Sequence, residues 1–350
     1  MPAREIHLCG SIPLADAREV FETVAGKLGG ACKRIPDGET GERLAWIRWQ
    51  DHVFAGHPQL VAVESEGDYR NATAVTGTGQ AMAHTTWFRI KESVSPKDLE
   101  MRPLGYADCA IESYAEFEKL KEAGKIGEDV KFLIAVPSPF NVINSAIAPD
   151  HRILVEPAYE SRMLREIEQV AGALPRGQIA WQWDNAHDMQ AFDGARQTYF
   201  PFHLDGIAER LIKCGDAVPA DIEMGYHFCY GSFGGKHFVE PRDMAPMVDL
   251  ANRLSAGVGR TIDWIHMPVP VERDDEAYFE TLADLSLKPE TQLFLGLIHD
   301  TDGVEGTRRR MTTADKYVSG YGVATECGFG RRPAETVGPL LDIHAEVAAG

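Results

Sequence analysis

Apolar residues recur along this chain in short runs of strand length, and between the runs they fall every three to four positions. The runs are EIHLCG at 5–10, ACKRIP at 31–36, KFLIAV at 131–136 and IAWQWD at 179–184, then IEMGYHFC at 222–229, TIDWIHM at 261–267, QLFLGLIH at 292–299 and GVATEC at 322–327. Helical spacing follows the first run in LADAREVFETVAGKL. It returns between later runs in ESRMLREIEQVAGAL, RDMAPMVDLANRL, DEAYFETLADL and AETVGPLLDIHAEVA, each with an apolar stripe fit to cover a sheet. Eight strands alternating with helices predict parallel strands joined by helical crossovers. A closed (β/α)8 TIM barrel uses all eight and leaves no bare edge. The competitor is an open doubly wound sheet, which usually carries a glycine-rich phosphate turn after its first strand; CGSIPLAD is not one.

The stretch from about 50 to 130 breaks the rhythm. GDYRNATAVTGTGQ is polar and rich in turn formers, and TTWFRIKE alternates like an exposed strand. The pattern therefore predicts one domain over 1–350, with an insertion after the second strand, about 50–130, folded over the barrel mouth and roomy enough for a small hairpin.

At 350 residues and 44% apolar content the chain can bury one large core. Its formal charge of −18 argues against broad attraction to nucleic acid or to anionic lipid. The clusters Arg308 to Arg310 and Arg331–Arg332 leave room for a local basic pocket, although solvated helix starts or surface ion pairs explain them as well. MPAREIHLCGS is no signal peptide, and no apolar run approaches the roughly 18 residues of a membrane span. A cytoplasmic protein acting on a small molecule is expected, with a homodimer as the default assembly.

Six cysteines, sparse and irregularly spaced, do not form a disulfide framework. Cys9, Cys32, Cys109 and Cys214 read as buried small hydrophobes. Cys229 and Cys327 differ because they stand at strand ends. In a barrel the C-terminal strand ends face the active site, and ionisable or polar residues collect there: Ser11, Asp37, Glu39, Asn141, Asp184, His227, Cys229, His266, His299 and Cys327. His227 and Cys229 are two apart on one strand and so share a face. An imidazole and a thiolate there are half of a tetrahedral zinc site, and a barrel would bring Cys327 round to complete three protein ligands. Ordinary buried thiols beside a hydrogen-bonded histidine remain the alternative.

At these residues the sequence resembles the catalytic barrel of cobalamin-independent methionine synthase, within the superfamily that includes uroporphyrinogen decarboxylase. The zinc motif His-x-Cys with a distant Cys-Gly is matched by YHFCYGSF at 226–233 and ECGFGRR at 326–332. GSIP at 10–13, IPDGETGERLAWI at 35–47, WDNAH at 183–187 and GLIHD at 296–300 follow in the family's order. The resemblance implies zinc held by His227, Cys229 and Cys327, a substrate thiol activated as thiolate, and alkyl transfer to or from that sulfur. It further implies that Ser11, Glu39 and Asp184 grip the amino-acid part of the thiol. The family's fourth ligand, a glutamate, has no counterpart in TIDWIHMPVP, where His266 is nearest; His299 stands in place of an aspartate. The family's extra N-terminal domain for folate has no room in a one-barrel chain.

Two other functions fit the same strand ends. A lyase or decarboxylase of a carboxylated small molecule, aromatic ones included, would use Asp37, Asp184, His266 and His299 for acid–base work and Arg308 or Arg331 for the carboxylate. A non-enzymatic metal-binding or ligand-binding barrel is the third reading.

Overall fold

The computed structural model describes residues 4–64, 86–233, 236–237 and 239–350. Its centre is a curled parallel sheet of seven strands: β1 (Arg34–Pro36), β4 (Lys131–Pro137), β5 (Ile179–Asn185), β6 (Glu223–Phe228), β9 (Trp264–Pro268), β10 (Gln292–Ile298) and β11 (Gly322–Thr325), hydrogen-bonded in that order. Two antiparallel pairs stand apart, β2 (Leu60–Glu64) with β3 (Thr86–Ile90) and β7 (Ser232–Phe233) with β8 (Lys236–His237). Among the described residues there are eleven α-helices: α1 (Ala17–Leu28), α2 (Asp51–Phe54), α3 (Tyr106–Glu122), α4 (Pro139–Ala146), α5 (Arg152–Ala173), α6 (Ala186–Phe192), α7 (His203–Ala217), α8 (Ala245–Gly257), α9 (Glu276–Phe279), α10 (Gly303–Ala314) and α11 (Val337–Ala349). Of these, none is long and apolar enough to cross a membrane.

The first predicted strand forms no regular strand but sits between the two edges of the sheet. Ile6 bridges in parallel to Cys32 on one side and to Val323 on the other. Ile6 N donates to Ala31 O, His7 N to Val323 O, and Val323 N to Glu5 O. The other seven predicted strands appear within a few residues of their expected bounds, as expected for fully buried runs whose length and flanking turns mark them.

Local chemistry explains the elements. In α1, Asp16 caps the helix by accepting from Glu19 N, while the Glu19 carboxylate accepts from Ala15 N, a reciprocal capping pair. Val20, Phe21, Val24 and Leu28 then fall on one buried face. In β5 the period of two separates two environments. Trp181 belongs to the main core between sheet and helices, and Trp183 donates to Cys214 O of α7. Ala180 packs with Leu133, Trp264 and Phe294 in a small separate cluster, and Gln182 and Asp184 follow it on that face. Above that cluster the His7 ring rests on Trp264, Phe294 and His266 at centroid distances of 5.7, 5.1 and 5.9 Å.

Within the predicted insertion, β2 and β3 pair as a hairpin, and Phe88 of β3 bridges to Ile147 just beyond α4. The stretch GDYRNATAVTGTGQ lies outside the described residues.

Candidate metal centre

The end of β6 delivers His227 and, one residue past the strand, Cys229; the end of β11 delivers Cys327. Their ligand atoms lie within 4.8 Å of one another, and all three side chains are buried. The two sulfurs are 3.5 Å apart, with Cys229 donating to Cys327. Gly231 N donates to the Cys229 sulfur at 3.2 Å. The Cys327 thiol is held well below its usual range, first by the hydrogen bond from Cys229, then by the His227 imidazole and the Arg331 charge, against the cost of burial. Cys229 is driven the opposite way by the same bond. Two thiols, Cys327 the more readily ionised, and one imidazole thus converge in a buried pocket, a soft donor set of the kind zinc prefers.

A second group of donors shares His227. Cys9, His227 and His266 also lie within 4.8 Å of each other. His227 Nδ1 is 2.7 Å from His266 Nδ1, and His266 Nε2 is 2.9 Å from Thr325 O and 3.7 Å from the Cys9 sulfur. Burial, with the charges of His227 and His7, pushes the His266 pKa well below its usual value; the carbonyls of Thr325 and Phe228 oppose that. Both ring nitrogens of His266 therefore have partners inside the protein. Cys9, read from sequence as a plain small hydrophobe, belongs to this cluster. The signal was there in HLCGS: His7, Cys9 and Ser11 alternate, so one inward-facing residue implied the other two.

Beside the thiols lie two buried carboxylates. Glu39 and Asp184 are each nearly excluded from solvent. Burial is the main reason the Glu39 carboxyl is pushed up to about 8, with the Asp37 charge adding to it and Arg43 and Arg331 opposing. Burial and then the Glu39 charge push Asp184 well above the carboxylate range. Each carboxyl is therefore harder to ionise than usual, Asp184 in part because the Glu39 charge stands near it. Gln182 fixes Asp184: its Nε2 donates to Asp184 Oδ1 at 2.8 Å and to Cys9 O, while its Oε1 accepts from His7 and Trp264. The Trp46 indole donates to Asp184 as well.

Backbone strain gathers at the same place. Glu39 (φ 48°) and Trp46 (φ 53°) are two of the three non-glycine residues with left-handed φ among those described. Both line a small pocket with Arg43, Trp49, Tyr106, Ala135 and Pro137. Conformations of this kind cost about 1–3 kcal/mol each and persist where surrounding structure dictates them. Trp46 also packs against Ala186, Cys229 and Cys327, joining the cavity to the thiols. Arg331 lies 5.8 Å above the Trp46 ring, and its buried Nε has no hydrogen-bond partner among the described residues. Ser11 borders the opposite side, its hydroxyl oxygen accepting from Gly330 N.

Other predicted residues are spent on the framework. Asp37 binds Arg43 through both carboxylate oxygens, accepts from Ser113, and accepts from Glu39 N, so it shapes the loop that carries Glu39. Asn141 donates to Ser138, Asp184 O and Asp188, and its Oδ1 accepts from His187 N. Asp188, missed in the sequence because it lies inside a helix, is fully buried and receives the Ser138 hydroxyl. His299 Nε2 contacts Val269 O at 2.8 Å and its Nδ1 faces Glu326, which Arg332 holds through both oxygens.

No protein-family model matches the chain, and none of the curated proteins matches it significantly in sequence. Solved structures do. The chain is similar to a B12-independent methionine synthase from Shewanella sp. W3-18-1, solved in complex with selenomethionine, with a TM-score of 0.64 at 14% identity over 99% of this chain and 97% of that one. It is also similar to a methyltransferase from Methanosarcina mazei, with a TM-score of 0.50 at 12% identity over 100% of this chain and 94% of that one. At such identities the likeness is one of fold.

Proposed function

We propose that the protein is a zinc-dependent transferase that moves a methyl or other alkyl group to or from a small thiol. His227, Cys229 and Cys327 are the metal ligands in this reading, and a fourth position is left to the substrate sulfur. The observation that carries it is the convergence of these three side chains from two distant strand ends, within 4.8 Å. Bound there, zinc would act as a Lewis acid that keeps the substrate thiol ionised at neutral pH. The same reading takes the fold as a closed (β/α)8 barrel in a single domain, with the Glu5–Gly10 segment as its eighth stave.

The chain's own residues account for the rest of the substrate. Glu39 and Asp184 suit an ammonium group, whose charge would favour their ionised forms. The Arg331 guanidinium and the Ser11 hydroxyl stand ready for a carboxylate. Trp46, between carboxylates and thiols, would screen the reacting sulfur from water. The Shewanella protein bears the name methionine synthase although this chain spans 97% of it, so one-barrel length does not count against transfer to a thiol. Of the acid–base groups the lyase reading names, Asp37 and His299 have their polar atoms engaged within the protein.

The test is metal content by mass spectrometry on protein purified without chelators, beside a Cys229→Ser/Cys327→Ser double variant. About one zinc per chain, absent from the variant, together with zinc-dependent alkylation of a thiol, is the expected result. A wild-type protein that takes up no zinc overturns the proposal.

A further inference from the structure

The pocket beside Glu39 is walled by rings. Trp46, Trp49 and Tyr106 line it, Ala135 and Pro137 add apolar side chains, and it has room for about one water or one methyl group. Trp49 and Tyr106 meet edge to face, with centroids 5.3 Å apart and planes at 68°. Gly105, at φ +88°, lets α3 begin this close to the indole: a Cβ there would lie 3.0 Å from Trp49. Trp46, with its left-handed backbone, belongs both to this lining and to the apolar surroundings of Cys229 and Cys327.

Two charged side chains reach the lining among the described residues. Arg43 is one, and both of its terminal nitrogens are committed to Asp37. Glu39 is the other. Its side chain is buried to all but 6%, yet its carboxyl oxygens have no hydrogen bond or ion pair among the described residues. A carboxyl group taken out of water to that extent without a donor is costly. It points to a ligand that brings one.

Counting donors says which. An ammonium placed between Glu39 and Asp184 finds two carboxyl groups to accept from it. A primary ammonium carries three N–H bonds, and the third would face aromatic rings and the side chains of alanine and proline, where no strong acceptor stands. An N-methylated ammonium, R–NH2+–CH3, has two N–H bonds for the two carboxyls. Its third substituent is a methyl group that carries part of the positive charge, and aromatic faces attract such a group. Further methyls would replace the N–H bonds that the carboxyls accept, and the pocket holds only one.

We infer that the pocket of Glu39, Trp46, Trp49 and Tyr106 is a subsite for one N-methyl group on the substrate's ammonium, so that the substrate is a secondary amine and not a primary one. The thiol at its other end rests on the function proposed above. The subsite itself requires neither sulfur nor metal.

Titration calorimetry with cysteamine and its N-methyl, N,N-dimethyl and N,N,N-trimethyl forms, on metal-free and on zinc-loaded protein, reads the subsite. Affinity should peak at the N-methyl form, about 2–5-fold above cysteamine, and fall with each further methyl. Trp49→Leu, which takes away one ring, should close the gap between the first two compounds. A maximum at cysteamine, a steady rise to the trimethyl form, or no binding of any member to either form of the protein overturns the inference. A folded Trp49→Leu that keeps the full gap overturns it too; should that variant not fold, the wild-type order decides. If the protein takes up no zinc while the order persists, the proposed function falls and the subsite stands.

Discussion

The sulfurs of Cys229 and Cys327 lie 3.5 Å apart although 98 positions separate the residues in the chain. Cys327 is shifted toward its thiolate and Cys229 toward its thiol by the bond between them, an arrangement that zinc and oxidants compete for. Metal-free protein treated with a small disulfide oxidant should form an intramolecular Cys229–Cys327 bond, the oxidant accepting the two electrons and the two thiols losing their protons. Zinc-loaded protein should react about tenfold more slowly or less, because its thiolates are committed to metal. Peptide mapping by mass spectrometry reads both. Equal rates with and without zinc would remove these cysteines from the ligand set.

The Glu39–Asp184 pair gives a pH signature. Burial raises Glu39 to about 8 and holds Asp184 well above the usual range, so the free site keeps a proton at neutral pH. Binding an ammonium group expels that proton, and affinity for an amino thiol should therefore rise as pH climbs from 6 toward 8, by at most about tenfold per pH unit. Glu39→Gln should flatten the profile and lower affinity at pH 8 about 10-fold or more, the loss of one charge-assisted bond. Calorimetric titration across that range checks it. A profile equally steep in Glu39→Gln would mean another group titrates.

Gly10 controls the same carboxylate from below. It has φ +131°, and a Cβ there would sit 2.5 Å from Glu39 Oε1. Gly10→Ala should cost about 1–3 kcal/mol of stability through backbone strain. It should also reduce affinity for an amino thiol, because Glu39 must swing away. Urea unfolding alongside the binding titration separates the two effects. Unchanged binding in the folded variant would show that Glu39 does not touch the ligand.

How much of this was legible in the sequence depended on range. Strands such as β5 and β10 are fully buried runs bounded by turns, so their existence and order could be read directly. The segment at 5–10 was read as a strand on the same grounds; its backbone bridges both sheet edges but lacks the paired bonds that make a regular ladder. His227 and Cys229 share a face by simple alternation, and that spacing was visible. What was not visible is which partner each polar atom chooses across the fold. Asn141 and Asp37 stand at strand ends as a ligand contact would, yet Asp188 and Arg43, brought in by the chain's packing, take up their polar atoms. Likewise the His227–His266 contact requires the register of β6 on β9, which no local pattern encodes.

Asp188 offers the cleanest separation of framework from chemistry. It is fully buried at the start of α6, held by Ser138 and Asn141 and with no cation in direct contact among the described residues. Burial is the leading cause of its rise from 3.8 to about 7. Between those values the folded state holds a proton that the unfolded chain has released, so stability must fall as pH rises from about 4 to 7 and then level off. Asparagine at this position keeps an acceptor for Asn141 and adds a donor toward Ser138, but it cannot titrate. The stability of Asp188→Asn relative to wild type should therefore be lowest near pH 4 and improve steadily toward pH 7, while the zinc content stays that of wild type. Urea unfolding at a series of pH values measures the difference. If it were constant across the window, Asp188 would be an ordinary ionised carboxylate, and the Ser138–Asn141 donors would be stabilising its charge.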